Sequence, residues 1–369
     1  MSGIYIHIPF CKSKCAYCNF FSVVSEKWRA DFLDALKKEA AAQTGYLGAE
    51  KVRTIYFGGG TPSLLQPAEI AGILDVLKKN FKITETPEVT LEANPDTVSL
   101  KSLLEYKSAG INRLSVGIQS FFDEDLQYLS RKHDSIHARQ VIEWAQEVGF
   151  QDVTIDLIYG IPTLTEEKWR KNLEMFFATG ANHLSAYALT VEEKTALGQR
   201  INKGVAATVN EEEVIRHYEI LVEMTENQGF EHYEISNFAR QGHYSKHNTI
   251  YWKGGKYLGL GPSAHSFDGV SRQWNVASVK SYCESYSFEK ETLTLDDRYN
   301  EYVMTALRTI WGADLDYILG NFGEKYAEKF KNGVQKHILN GKMTQKNQNF
   351  ILNADGMLFA DGIASELFV

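Results

Sequence analysis

The chain is 369 residues long, 44% hydrophobic and 23% charged, with a formal net charge of −8. This is enough apolar material for one large α/β domain and a smaller one. A mean hydropathy of −0.30 and the lack of any long apolar run exclude a membrane-spanning helix, and an acidic balance without a basic stripe excludes a dominant nucleic-acid surface.

The N-terminus enters an alternating apolar pattern at once, with neither a basic n-region nor an apolar h-region, so no secretory signal is expected. Strands are expected at 4–8, 52–57, 88–93, 112–117, 152–158 and 182–188, with helices between them at about 26–43, 67–80, 99–109, 134–148 and 165–178. Ser25-Glu26 marks the start of the first helix, Pro67 that of the second and Thr165 that of the fifth. Gly110, Gly149 and Gly180 stand where helices want a left-handed cap. Repeated βα units require right-handed crossovers and a parallel sheet, and six in succession predict a partial or complete barrel. In such folds the site gathers at the C-terminal ends of the strands. Cys11 follows the first strand, Gly58, Gly59 and Gly60 follow the second, and Glu92 ends the third. Gln119 follows the fourth, Asp156 lies late in the fifth, and Thr190 follows the sixth.

Beyond about residue 195 the pattern changes. Helical stretches at 195–203 and 210–227 lead to a strand-like segment at 230–238, then to a stretch rich in Gly, His and aromatics at 240–275. From about 296 the chain reads as a small helical module closing with strand-like pieces at 349–353 and 357–360. The expected divisions are a barrel domain over 1–238, a connecting segment over 239–285 and a C-terminal domain over 286–369.

Cys11, Cys15 and Cys18 form a C-x3-C-x2-C spacing with Tyr17 before the last cysteine; the fourth cysteine, Cys283, lies far off in sequence. Three thiolates so close together suit an iron–sulfur cluster with one iron left open to a small molecule. Clustered reduced thiols also fit a reducing compartment, and the cytoplasm is inferred. A zinc site is the plainer alternative. Structural zinc wants four ligands and no second pair is present, while a catalytic zinc with mixed ligands stays open. Gly58-Gly59-Gly60-Thr61-Pro62, after a buried strand, lets backbone groups approach a ligand closely. Glu92 and Asp156 sit in otherwise apolar strands, where an ionised carboxylate needs a partner. With Gln119 and Arg131 they suit hydroxyl, ammonium and carboxylate groups in one cleft.

These residues occur with Tyr5-Ile6-His7-Ile8-Pro9-Phe10, Leu91-Glu92-Ala93-Asn94-Pro95, the run from Ser115 to Phe121, the run from Asp156 to Pro162 and the run from Gly259 to His265. The set resembles the radical S-adenosylmethionine superfamily, and within it the oxygen-independent coproporphyrinogen III oxidase group and its HemW branch of haem chaperones, over nearly the whole chain. The resemblance implies a partial (β/α)6 radical-SAM barrel with a small mainly helical C-terminal domain. It implies a [4Fe-4S] cluster on Cys11, Cys15 and Cys18, with S-adenosylmethionine on the open iron and Tyr17 along the adenine side. Tyr5, Gly59 and Glu92 match contacts of that cofactor in the oxidases. Gly60, Thr61, Gln119, Arg131 and Asp156 match contacts of a second cofactor molecule there. Thr190 and His265 stand where the oxidases carry smaller or apolar residues, and they are not carried over. The chemistry implied is one-electron cleavage of the sulfonium to a 5′-deoxyadenosyl radical, a step whose difficulty the cofactor carries. The oxidases use it to decarboxylate propionates.

Two departures point away from the oxidases. Phe20 stands where they carry another cysteine, and with Tyr5 as the fifth residue their longer N-terminal cover is not expected. Both are traits of the HemW branch. His247-Asn248-Thr249-Ile250-Tyr251-Trp252 resembles the HNxxYW motif of the haem chaperones and makes His247 the candidate haem ligand, beside aromatics that suit a flat apolar ring. His243 is a rival, and a purely structural histidine is the alternative. The expected function is a haem chaperone that delivers haem to haem proteins. Membrane respiratory enzymes are among the family's recipients, which adds peripheral membrane contact to the expectations; the resemblance also implies a homodimer promoted by the cluster. The rival is oxygen-independent coproporphyrinogen III oxidation; a zinc-binding scaffold is a third.

Overall fold

Parallel strands form the frame of the molecule, seen in a computed structural model that describes residues 2–369. β1 (Ser2–Ile8), β2 (Val52–Gly59), β3 (Ile83–Ala93), β4 (Arg113–Gln119), β5 (Asp152–Tyr159) and β6 (His183–Ala188) lie side by side in chain order, every neighbouring pair parallel. Most of their apolar residues are buried, Ile4, Ile6, Phe57, Leu91, Val116 and Ile155 among them, as a sheet covered by helices requires. The covering layer is α1 (Arg29–Ala42), α2 (Pro67–Asn80), α3 (Leu100–Ala109), α4 (Asp123–Tyr128), α5 (Ser135–Glu147) and α6 (Glu166–Ala178). Caps set most of these starts: Gln66 and Glu69 form a capping box on α2, Asp134 accepts from the His137 amide, and Thr165 accepts from the Lys168 amide. Gly110, Gly149 and Gly180 adopt positive φ just beyond α3, α5 and α6.

Three expectations are corrected. The first helix begins at Arg29, not near 26, because Ser25 offers its hydroxyl only to the Lys27 amide, while Arg29 pairs with Glu69 of α2 and donates to the Leu64 carbonyl. The segment 230–238 is two short antiparallel strands, β7 (Glu231–Glu234) and β8 (Asn237–Ala239). The Glu234 carboxylate accepts from the Ser236 amide and the Asn237 side chain and folds the chain back. Residues 357–360 are no strand but join two short helices through a turn at 358–359, since Asn353 caps the first of them and the buried Met357 of the first and Ala360, Ile363 and Ala364 of the second anchor the pair.

After α7 (Ala196–Asn202) and α8 (Glu211–Asn227) the chain runs through β7 and β8 into α9 (Lys246–Trp252). β9 (Lys256–Leu260) then pairs parallel with the outer side of β1, and β10 (His265–Phe267), β11 (Ser271–Asn275) and β12 (Phe288–Thr292) extend the sheet antiparallel, with α10 (Val279–Glu284) between the last two. Among the described residues this makes a twelve-stranded sheet ordered β12-β11-β10-β9-β1-β2-β3-β4-β5-β6-β8-β7. The C-terminal region is helical: α11 (Leu295–Leu307), α12 (Leu315–Phe322), α13 (Glu324–Leu339), α14 (Ala354–Met357) and α15 (Ala360–Glu366). They pack with a small sheet of β13 (Ala313–Asp314), β14 (Met343–Lys346) and β15 (Asn349–Leu352). It is tied to the barrel by Arg308, which pairs with the buried Glu234 at 3.2 Å. No helix among the described residues is long and apolar enough to cross a membrane.

Candidate functional site

The loop after β1 carries the three cysteines and is closed at its base. The Cys11 amide donates to the Val23 carbonyl and the Val23 amide to the Pro9 carbonyl, at 2.9 and 2.8 Å. Its middle is pinned through Ala16, whose amide donates to the Leu129 carbonyl and whose carbonyl accepts from the Leu197 amide. The His7 ring reaches the Phe21 carbonyl at 2.9 Å. The glycine turn after β2 lies against this loop: the Gly60 amide donates to the Ile8 carbonyl and the Thr61 amide to the Phe10 carbonyl. A Cβ on Gly60 would stand 2.6 Å from the Phe10 oxygen and 3.0 Å from Cys11 Sγ, so only glycine permits this approach.

The C-terminal strand ends and these two loops enclose a cavity of about 440 Å3, the size of a small-molecule site. Cys11, Cys15, Tyr17, Cys18, Gly59, Gly60, Thr61, Glu92, Gln119, Arg131 and Asp156 all line it, with Phe20 and Thr190 at the same cavity. Gln119 holds φ at +68°, a conformation that costs a non-glycine residue energy, at a register shift between β4 and β5. Arg131 donates to the Gly117 carbonyl at 2.7 Å and to Cys15 Sγ at 3.4 Å. Burial pushes the Tyr17 phenol and the Cys18 thiol up.

Glu92 and Asp156 face the cavity floor. Tyr56 donates its hydroxyl to Glu92 at 2.8 Å and the Gly59 amide donates at 3.2 Å. Ser115 donates to Asp156. Burial lifts both carboxyls to about 7, with the neighbouring Glu92 charge adding to the lift on Asp156. Two acids held this way are ready for a cationic or hydroxyl-rich ligand. Glu92, Ser115, Asp156 and Tyr187 also line a small inner chamber of about 60 Å3 below the cavity. Its other walls are polar, including Arg113, His183, Ser245 and Asn248. Thr90 Oγ1 and His183 Nδ1 find no protein partner there, which fits bound water.

Tyr5 and His247 do not line the cavity. Tyr5 stacks on Tyr56 with ring centroids 6.0 Å apart. His247 lies at the opposite, N-terminal mouth of the barrel, where α9 packs on β1, β2 and β9 as a plug. The ring is buried, with Nδ1 at 2.7 Å from the Thr54 hydroxyl and Nε2 at 2.8 Å from the Tyr251 hydroxyl. Burial holds it neutral, lowering its pKa to about 3. The Glu88 carboxylate accepts from the Lys246 and His247 amides and fixes the helix start. Gly3 makes room for the plug: a Cβ there would stand 2.5 Å from Thr54 Oγ1, 2.9 Å from Ile250 and 3.1 Å from His247 Nδ1. His243 pairs instead with Asp152, at 2.7 Å, and His265 is exposed beside Trp274.

The family model described as the Radical SAM superfamily matches residues 5–176. "Heme chaperone HemW" of Mycobacterium tuberculosis (strain ATCC 25618 / H37Rv) is 33% identical, over 99% of this chain and 94% of that protein. "Heme chaperone HemW" of Bacillus subtilis (strain 168) is 34% identical, over 88% of this chain and 87% of that one. The chain belongs to the HemW branch of the radical SAM superfamily. The structure of the coproporphyrinogen III oxidase HemN from Escherichia coli superposes with a TM-score of 0.86 at 23% identity, over all of this chain and 90% of that one, and shows the shared fold.

Membership of the superfamily implies a [4Fe-4S] cluster and S-adenosylmethionine, and the residues present fit them. Three thiols share one cavity, with a hydroxyl and a guanidinium donating to two of the sulfurs. Among the described residues no three His, Cys, Asp or Glu side chains converge on a single-ion position. A cluster, whose thiolates bind different irons, does not ask them to. Sequence reasoning passed over Asn94, Ser115 and Tyr187, which also line the cavity. Asn94 and Ser115 lay inside motifs that drew notice for other residues.

Proposed function

We propose that this chain is a haem chaperone that binds haem and passes it to haem proteins. Cys11, Cys15 and Cys18 hold a [4Fe-4S] cluster. Tyr17, Gly59, Gly60, Thr61, Glu92, Gln119, Arg131 and Asp156 hold S-adenosylmethionine beside it, with Tyr5 supporting from behind Tyr56. The observation that carries the reading is identity with heme chaperones along nearly the whole length, C-terminal region included. Bound there, the cluster would supply one-electron reduction of the sulfonium; the cavity's own work is to exclude water and fix the cofactor's charged ends. In this chaperone the pair serves a supporting or regulatory role. His247 is the candidate haem ligand, and for its Nε2 to meet iron α9 must leave the barrel mouth. Recipients include haem proteins of the respiratory membrane, reached from the cytoplasm, and a dimer is the working form.

Anaerobically reconstituted protein, titrated with hemin, is expected to give a saturable Soret change and to load an apo haem protein. Cys283→Ser should keep its iron, while Cys11→Ala, Cys15→Ala or Cys18→Ala should lose it. Conversion of coproporphyrinogen to protoporphyrinogen with S-adenosylmethionine and a reductant would replace this reading by the oxidase one. Zinc in place of iron would replace both.

A further inference from the structure

Cys11 and Cys15 are joined to each other by a chain of side chains. Arg131 Nη1 donates to Cys15 Sγ at 3.4 Å, and Nη2 donates to Asn94 Oδ1 at 2.9 Å. Asn94 Nδ2 donates to Thr61 Oγ1 at 3.1 Å, and the Thr61 hydroxyl donates to Cys11 Sγ at 3.6 Å. The direction of the first three bonds follows from chemistry. A guanidinium only donates, so the oxygen of Asn94 must face it and the amide nitrogen must face Thr61. Thr61, having accepted, is free to donate onward. Both ends of the chain therefore deliver a hydrogen to sulfur, which suits thiolates rather than thiols. The second bond of Arg131 Nη2, to the Gly117 carbonyl at 2.7 Å, fixes the guanidinium to the end of β4.

We propose that Arg131, Asn94 and Thr61 form a clamp, with Asn94 as its hub, that ties the Cys11 and Cys15 sulfurs to each other and raises the reduction potential of the cluster. The inference rests on the cluster assignment made above. Reduction adds negative charge to the cluster, and hydrogen-bond donors and a nearby cation on its cysteine sulfurs favour the more negative form. Toward the cluster these three are positioning residues, acting through its ligands, in addition to the S-adenosylmethionine contacts proposed above for Thr61 and Arg131. They come from three separate places, the turn after β2, the turn after β3 and the turn after α4, so the clamp also ties those elements to the cysteine loop.

The test is an EPR-monitored redox titration of full-length protein reconstituted with iron and sulfide. Arg131→Met and Asn94→Leu are expected to lower the midpoint potential and to release iron to a chelator several-fold faster. Arg131→Lys should recover part of the shift by keeping the charge. Thr61→Val, close in shape to the parent, should lower the potential by less, and Thr61→Ser should restore it; this pair decides the matter if the bulkier changes fail to fold. Potentials unmoved in variants with full iron content overturn the clamp alone. A parent protein that takes up no cluster overturns the clamp and the underlying assignment together.

Discussion

The imidazole of His247 lies on the ring of Tyr56, with centroids 4.9 Å apart and planes 26° apart. The same tyrosine donates to Glu92, so the plug at one mouth of the barrel and the cavity at the other share a residue. Haem ligation through His247 requires this stack and the bonds to Thr54 and Tyr251 to part. Hemin is therefore expected to speed amide exchange across 246–252 by at least ~10-fold, the ratio equivalent to about 1.4 kcal/mol. Exchange by mass spectrometry with and without hemin reads this directly. A Soret change that depends on His247, with exchange in α9 unaltered, would contradict it.

Two glycines separate site geometry from ordinary helix energetics. Gly60→Ala places a methyl group against the Phe10 carbonyl and Cys11 Sγ, so the protein should fold yet fail to retain iron after reconstitution. Gly72, in α2, has nothing within 4 Å of its would-be Cβ. Gly72→Ala should stabilise by about 0.5–1 kcal/mol with iron content unchanged. Iron analysis beside chemical denaturation checks both.

The acids under the cavity set a pH dependence with a definite sign. Glu92 and Asp156 titrate near 7 in the fold and near 4 unfolded. Between those values the folded state keeps protons that the unfolded state loses, so the stability tied to these groups is present below about pH 4 and is lost as pH rises through 7. Glu92→Gln and Asp156→Asn should each gain stability over the parent at pH 8, on the order of 4 kcal/mol, and little at pH 4. The difference between parent and variant is the quantity to measure. The buried neutral His133, His232 and His247, held at about 4, 4 and 3, tilt the parent's own curve the other way. A parent-to-variant gap independent of pH would show that the acids are already ionised.

The barrel was legible because each parallel strand is a short apolar run bounded by turn residues and most covering helices carry a cap or a terminal glycine, α1 and α4 being the exceptions. The cavity was legible because its residues follow successive strands, and a parallel sheet sends all of those ends the same way. What escaped notice shares a cause: a polar residue whose partner arrives from elsewhere in the chain. Glu39 sits in an amphipathic helix and looks solvated, yet it is buried, accepting from the Gly261 amide, Asn275 and the Tyr282 hydroxyl. Asn94, before a proline, reads as a turn former and is the hub of a bonded chain. Gln119 bears no mark of its left-handed backbone. The HNxxYW residues were visible as a motif, but nothing local says that they close the barrel mouth.

Gly3 has a consequence for anyone ranking variants by how near they fall to known motifs. A substitution in the opening residues would look like harmless change at a chain end. A methyl there would in fact strike Thr54 and Ile250 and press on a histidine encoded two-thirds of the way along, so suppressors should be sought in Thr54 and Ile250, not beside the lesion.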